Sequence, residues 1–320
     1  MKESMSHAYL TMMMKTYVSS TVLLILSLIF LVSSSSPIFF WMMLELNLMF
    51  VLFLMFEDSS TVKAMICYFI FQVYGSLLFI YGFMSVNLMF LAFLGLSVKF
   101  GLFPFHVWQP YVFTFSSWKT CFIIAGPQKA FLILLFIFFN MKMNDFIMGI
   151  IILTVLIVNL YLVFLYDLKK TFAFLSISSA TWLFCLISWS IESNLWFLYL
   201  YNIQLLFMFV MFMMWELQSL ESKKYLNMLL LMFIVSYSGI PPMIGFFMKL
   251  QILNFFFFFY QSIPLLLLFT MIMIPSTFFL VYYSMTFFLK KKMIMIQHVS
   301  LFYITFVLMF FMVPSFYIFI

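Results

Sequence analysis

The chain has 320 residues, 67% of them hydrophobic and only 8% charged, with a net charge of +6 at pH 7 and a mean hydropathy of +1.22. A soluble domain carries roughly 25% charged residues, so a water-soluble globular fold is excluded and an integral membrane protein is implied. Apolar runs of spanning-helix length recur, whereas a membrane barrel would show short segments alternating polar and apolar; the chain therefore reads as all-α and polytopic.

In chain order, eleven runs have membrane length: 17–35, 38–56, 62–84, 87–104, 118–139, 146–166, 171–190, 194–215, 226–251, 263–289 and 300–320. The stretch from Lys2 to Lys15 before the first run looks like the start of a signal peptide, but everything after it is also membrane, so the first run is read as a spanning helix. Charge tests the count. With eleven spans, the N-terminal side holds Lys2, Lys15, Lys63, Lys119, Lys169, Lys170, Lys223, Lys224 and Lys290 to Lys292, while the opposite side holds only Lys142. That asymmetry obeys the positive-inside rule and places the N-terminus on the matrix or cytoplasmic side, with the C-terminus opposite. Lys290 to Lys292 then serve topology and lipid headgroup contacts. All loops are short, so residues 1–320 form a single transmembrane domain.

Two runs are interrupted. The fourth carries Gly95, Lys99, Gly101 and Pro104, and the ninth carries Gly239, Pro241, Pro242 and Gly245 before Lys249. Proline removes a backbone donor and glycine admits irregular backbone, so breaks are expected at Pro104 and between Gly239 and Gly245. Broken helices five apart, each with a lysine at the break, are the pattern of antiporter-like inverted repeats. The first repeat is read over about 38–139 with 146–166, the second over 171–289.

Four ionisable residues fall well inside spans: Glu45, Lys99, Lys129 and Lys249. A charge at the centre of a membrane helix costs roughly 2.5 to 3.5 kcal/mol, so the fold must gather these groups around one hydrated interior. One carboxylate and three amines in a row can pass a proton along. The alternative is a Glu–Lys pair that only fixes helix register. His106 has two readings of equal standing, a proton relay or a boundary residue bonded to a loop carbonyl. The three cysteines are far apart, without C-x-x-C spacing, and no haem-type histidine pair or Gly-rich phosphate loop is visible. All fifteen basic residues are lysine, and Phe and Met are abundant while Gly is scarce, as AT-rich codons of a small organellar genome would give.

The motifs WMMLELN (Trp41–Asn47), KFGLFPFHVWQP (Lys99–Pro110), GPQKA (Gly126–Ala130), KKTFAFLSISSATW (Lys169–Trp182) and SGIPPMIGFFMK (Ser238–Lys249) follow one another in the chain. In this order they resemble the subunit 2 family of NADH dehydrogenase (NADH:ubiquinone oxidoreductase), respiratory complex I, over about 41 to 250; outside that range the likeness is in hydropathy alone. The last motif is shared with the sister antiporter-like subunits. The resemblance implies a proton-moving membrane subunit of the mitochondrial inner membrane without a redox cofactor of its own. NAD, FMN, iron–sulfur clusters and ubiquinone would be bound elsewhere in the complex. Its partners would be other membrane-arm subunits and membrane lipids, with no nucleic acid. The family's buried glutamate falls on Glu45, the lysine of its broken helix on Lys99, its central lysine on Lys129 and its distal lysine on Lys249. Two departures stand out: Tyr111 replaces a loop glutamate, and Ser179 and Thr181 replace a histidine and a glycine.

The reading is therefore a proton-translocating subunit that couples NADH-to-ubiquinone electron transfer to pumping. Its rivals are a stand-alone cation/proton antiporter subunit and a structural membrane spacer with paired buried charges. The topology is testable: side-selective amine labelling is expected to modify Lys169, Lys223 and Lys290 from the same compartment as the N-terminus. Labelling of Lys142 together with Lys290 from one side would overturn the helix count.

Overall fold

The computed structural model describes residues 36–57, 61–84, 89–138, 145–164 and 167–187, together with residues 202 and 205. All regular secondary structure among them is helical. They belong to two compact units, the first within Met1–Thr154 and Tyr166–Trp189, the second within Val155–Leu165 and Ser190–Ile320. The described part of the second unit is small. It shows Val155, Val158 and Leu162 buried on one face of a helix whose Leu160 and Tyr161 are exposed.

In the first unit, α1 (Pro37–Glu57) and α2 (Val62–Met84) follow the second and third apolar runs. The fourth run becomes α3 (Met89–Phe100), a short 3-10 turn (Phe105–Val107) and α4 (Trp108–Phe115). Among the described residues, Pro37–Phe56, Val62–Met84 and Phe90–Phe115 are the stretches long and apolar enough to cross a membrane. The chain is an all-helical membrane protein.

The break in the fourth run differs from expectation in its cause. The helix stops at Gly101, ahead of Pro104. Gly101 adopts φ +74°, the left-handed conformation that glycine takes without steric cost. Its N–H donates to Val98 O at 3.2 Å, and the Leu102 N–H donates to Ser97 O at 2.9 Å. This is the Schellman arrangement, which satisfies carbonyls left over at a helix end. Pro104 then lies in the following turn, after a cis peptide with Phe103.

The fifth run, expected as one helix, is two: α5 (Trp118–Ala125) and α6 (Pro127–Phe138). The reason is the Gly126-Pro127 pair. Proline disfavours the α conformation in the residue before it, and Gly126 takes φ −99°, ψ −88° while its N–H still reaches Phe122 O at 2.9 Å. Pro127 suits the first position of a new helix, where no N–H is needed. The sixth and seventh runs form α7 (Asp145–Phe164) and α8 (Leu168–Ile187). The first run, the runs from the eighth onward apart from residues 202 and 205, and the expected break from Gly239 through Pro241 and Pro242 to Gly245 lie outside the described residues.

Helix α2 organises the packing, with α1 and α3 both seated on it. Its buried face reads Ala64, Tyr68, Gln72, Gly75, Ser76, Phe79 and Gly82, while Ile66, Ile70, Tyr74 and Leu77 are exposed. The polar and small residues, with Phe79, thus face the other helices, and Ile66, Ile70, Tyr74 and Leu77 point outward. Small residues let membrane helices approach closely, and here the approach is tight. A Cβ on Gly95 would stand 2.5 Å from both Gly75 O and Phe79 N, and one on Gly82 would meet Ala92 Cα at 2.8 Å. Helix α4 packs on α8 and α2. Lys169, near the start of α8, donates to Ser116 O just past α4 at 2.6 Å and lies 5.7 Å above the Trp118 ring. Its cation is thereby placed at the C-terminal end of α4, where the helix dipole favours it.

Because the obstructing atoms at Gly82 and Gly95 are backbone, alanine there must push α3 away from α2. Gly95→Ala and Gly82→Ala are expected to destabilise the unit by about 1 to 3 kcal/mol, the usual cost of overpacking. Detergent thermal-melting of the purified complex checks this, with Gly149→Ala, whose Cβ meets nothing within 4 Å, as the unaffected control.

Candidate functional site

Lys99 ends α3 two residues before the left-handed Gly101, in the turn where a helix presents its negative dipole end. Its side chain is 3% exposed. The stem lies in a notch left by Gly75 of α2, where a Cβ would stand 2.8 Å from Lys99 Cγ. A larger residue at 75 would leave no room for the lysine.

Glu45 projects from α1 toward the same segment of α2. It is half-buried, and the Ser76 hydroxyl donates to its Oε1 and to Val73 O. The carboxylate and Lys99 thus meet neighbouring residues of α2, Ser76 and Gly75. Among the described residues the ion pair within 4.0 Å is Lys170 with Asp167 at 2.7 Å, far along the chain, so Glu45 and Lys99 are not directly paired. The carboxylate's direct partner is the Ser76 hydroxyl.

Lys129 is the third residue of α6, at the positive end of that helix, and is 1% exposed. Its Nζ donates to Ser176 Oγ at 3.4 Å. Ser176, on α8, also accepts from Gln109 Nε2 at 2.8 Å and donates to Ala173 O at 2.8 Å. One hydroxyl thus joins α4, α6 and α8. A hydroxyl has one proton to donate and two lone pairs, so Ser176 is fully used.

Lys99 and Lys129 line one cavity, with Asn47, Tyr68, Gln72 and Gln128 contributing its other polar side chains. About 20 Å³ is open to the centre of a water molecule, enough to hold one. Gln128 Nε2 spans the cavity's wall, donating to Tyr68 Oη at 2.6 Å and to Asn47 Oδ1 at 3.4 Å. The two lysines come from the two broken spans and sit at helix ends of opposite polarity. The arrangement is a small pocket with room for a water between two buried amines, with a carboxylate one helix away.

His106 is buried but does not line this cavity; its ring stacks on Phe103 at 6.1 Å and tilts against Phe174 at 6.4 Å. Pro104 is placed in the turn that carries His106. Lys249 lies outside the described residues. Among the described residues, no three His, Cys, Asp or Glu side chains are grouped to hold a metal. Sequence reasoning assigned no role to Tyr68, Asn47, Gln109, Gln128, Gly75, Ser76 or Ser176. Asn47, Gln109, Gln128 and Ser176 lie inside motifs already noted, and the α2 residues recur every three or four positions in an otherwise apolar run, a stripe that marks one helix face. At the two departures from the family pattern, Tyr111 lies at the surface of α4 against Phe115, and Ser179 bonds back to Leu175 O.

Known proteins resemble this chain in sequence and in fold. The NADH-ubiquinone oxidoreductase chain 2 of Locusta migratoria is 24% identical over 262 residues, covering 75% of this chain and 72% of the relative. The protein of the same name from Lumbricus terrestris is 27% identical over 248 residues, covering 71% and 74%. A chain of respiratory complex I from Thermus thermophilus with bound aureothin superposes with a TM-score of 0.73 at 17% identity, over 84% of this chain and 70% of that one. A chain of the Mrp complex from Dietzia sp. DQ12-45-1b gives the same TM-score at 15% identity, over 82% of this chain and 59% of that one. These two likenesses establish a shared fold. Residues 84–274, more than half of the sequence and including both cavity lysines and the Gly101 break, match the profile of one family. The chain belongs to the NADH:quinone oxidoreductase/Mrp antiporter transmembrane family.

Proposed function

We propose that this chain is a proton-translocating, antiporter-like membrane subunit of mitochondrial respiratory complex I, moving protons across the inner membrane as electrons pass from NADH to ubiquinone. The observation that supports this most is the pairing of two buried lysines, Lys99 and Lys129, around one cavity with room for water. Buried amines in a membrane survive when they have partners or a task, and here polar side chains from four helices converge on them. The relatives named NADH-ubiquinone oxidoreductase chain 2 support the assignment to complex I.

In this reading the proton path runs through Glu45, Lys99, Lys129 and Lys249, and no redox centre is carried on the chain. NAD, FMN, iron–sulfur clusters and ubiquinone belong to other parts of the complex, and the neighbours of this subunit are other membrane-arm chains and lipid. The N-terminus faces the matrix, as the lysine asymmetry of the loops suggests. The fourth and ninth runs belong to inverted repeats, the first over about 38–139 with 146–166 and the second over about 171–289. When Glu45 takes up a proton, the attraction that favours charge on Lys99 is lost. The buried amine then releases its proton toward Lys129. Charge at one residue is thereby exchanged for charge at the next.

A second reading is favoured by the likeness to the Mrp complex: a subunit exchanging protons for cations without electron transfer. Co-purification with flavin and iron–sulfur subunits distinguishes the two.

The coupling predicts a specific mutational pattern. Glu45→Gln is expected to slow pumping on the order of tenfold or more, the scale of losing a positioned proton-transfer group. Adding Lys99→Met should cost much less than Lys99→Met does alone, because both remove the same step. Pumped protons per NADH oxidised, read per assembled complex, decide it. If the two losses simply add, the coupling is wrong, and if neither change matters, the buried charges are structural.

A further inference from the structure

We infer that the Tyr68 hydroxyl is the proton relay between Lys99 and Lys129, a step that rests on the proton-moving reading above. Tyr68 is fully buried on α2 and lines the same cavity as both amines. The other polar side chains lining that cavity are the amides Asn47, Gln72 and Gln128 and the indole of Trp108. A carboxamide or an indole has no O–H to exchange in a hop, so among the lining residues the phenol is the one group that can take a proton on one side while releasing its own on the other.

The hydrogen-bond inventory separates Tyr68 from the other buried hydroxyls. Ser97 and Ser176 spend their proton on carbonyls of their own helices, Leu94 O at 2.7 Å and Ala173 O at 2.8 Å, and Ser176 has both lone pairs occupied as well. Ser76 gives its proton to Val73 O and Glu45. These groups position their neighbours. Tyr68 Oη accepts one bond, from Gln128 Nε2 at 2.6 Å, which fixes the phenol. A hydroxyl so held keeps one lone pair and one proton, the minimum needed to pass a proton through.

The step balances without any co-reactant. The Lys99 ammonium gives a proton, through water in the cavity that both groups line, to the remaining lone pair of Tyr68 Oη. The phenol's own O–H bond breaks in the same event, and that proton passes across the cavity to the neutral amine of Lys129. One positive charge leaves Lys99 and arrives at Lys129, while the phenol ends neutral and resets by rotation about its C–O bond. Gln128 follows Pro127 and precedes Lys129, so the residue that holds the phenol is built into the same first helical turn as the acceptor.

The test is Tyr68→Phe in the full chain within the intact complex, reconstituted in liposomes. The expected result is pumping slowed about tenfold or more per assembled complex, with a larger slowing in D₂O than the parent shows, because proton transfer becomes limiting. Tyr74→Phe, on the exposed face of the same helix, should match the parent in both. Tyr68→Phe also takes an acceptor from Gln128, so Tyr68→Phe/Gln128→Met removes the stranded donor. If the relay is real, this double variant stays slow; recovery of pumping would show that Tyr68 only partners Gln128 and would overturn the inference. Normal pumping in Tyr68→Phe also overturns it. Lys99→Met and Lys129→Met, run alongside, separate the two levels: if they too pump normally, the underlying function is wrong; if they fail while Tyr68→Phe does not, only the relay is.

Discussion

The arrangement depends on the cost of keeping two lysine side chains away from bulk water inside an apolar helix bundle. Each charge at such a depth costs several kcal/mol unless polar groups meet it, and every unusual feature near the site serves to supply them. Gly75 gives up its side chain so that the Lys99 stem can lie against α2. Gly101 turns the chain left-handed so that α3 ends beside Lys99 with its carbonyls satisfied. Trp108 returns across that break to donate its indole N–H to Val98 O at 3.0 Å, which locks the start of α4 to the end of α3. Ser176 brings α8 to Lys129 and Gln109.

The same logic explains why Lys99 stands at a helix interruption; Lys129 stands at one whose dipole opposes its charge and relies on side-chain partners. A continuous helix consumes its own backbone groups and offers a buried cation little but side chains. A helix end exposes dipole and irregular backbone at membrane depth, tolerable only where it is enclosed by protein or lines a cavity. The two interruptions achieve this differently, by a left-handed glycine at Gly101 and by a Gly-Pro junction at Gly126. They present opposite poles, the end of α3 to Lys99 and the start of α6 to Lys129. The cavity between them is electrostatically asymmetric before any ion or proton arrives.

The helical class was legible from apolar run lengths alone, because membrane thickness sets helix length and lipid excludes unpaired backbone. The buried charges were legible for a similar reason: Glu45, Lys99 and Lys129 stand out against an apolar background. The partners were not. Tyr68 and Gln72 look ordinary in a sequence with seventeen tyrosines, and only the packing of α2 between α1 and α3 turns them toward the lysines. Gly126-Pro127 sits in a motif that marked the family, yet the apolar run around it masks the helix junction. Pro104 is the stronger signal in the sequence and masks the stop at Gly101, because a glycine's left-handed turn depends on hydrogen bonds that reach back three and five residues. That Ser76 is the bonded partner of Glu45 depends on which helix lies between α1 and α3, which run lengths do not display.

The central claim is that Lys99 and Lys129 share one hydrated compartment. A cryo-electron microscopy map of the intact complex, at a resolution that shows ordered water, tests it most directly. The account predicts water density in the cavity bounded by Tyr68, Gln128 and the two amines, within hydrogen-bonding distance of the phenol. A dry space closed by Leu48 and Leu132, with the two lysine side chains pointing into separate environments, would contradict it.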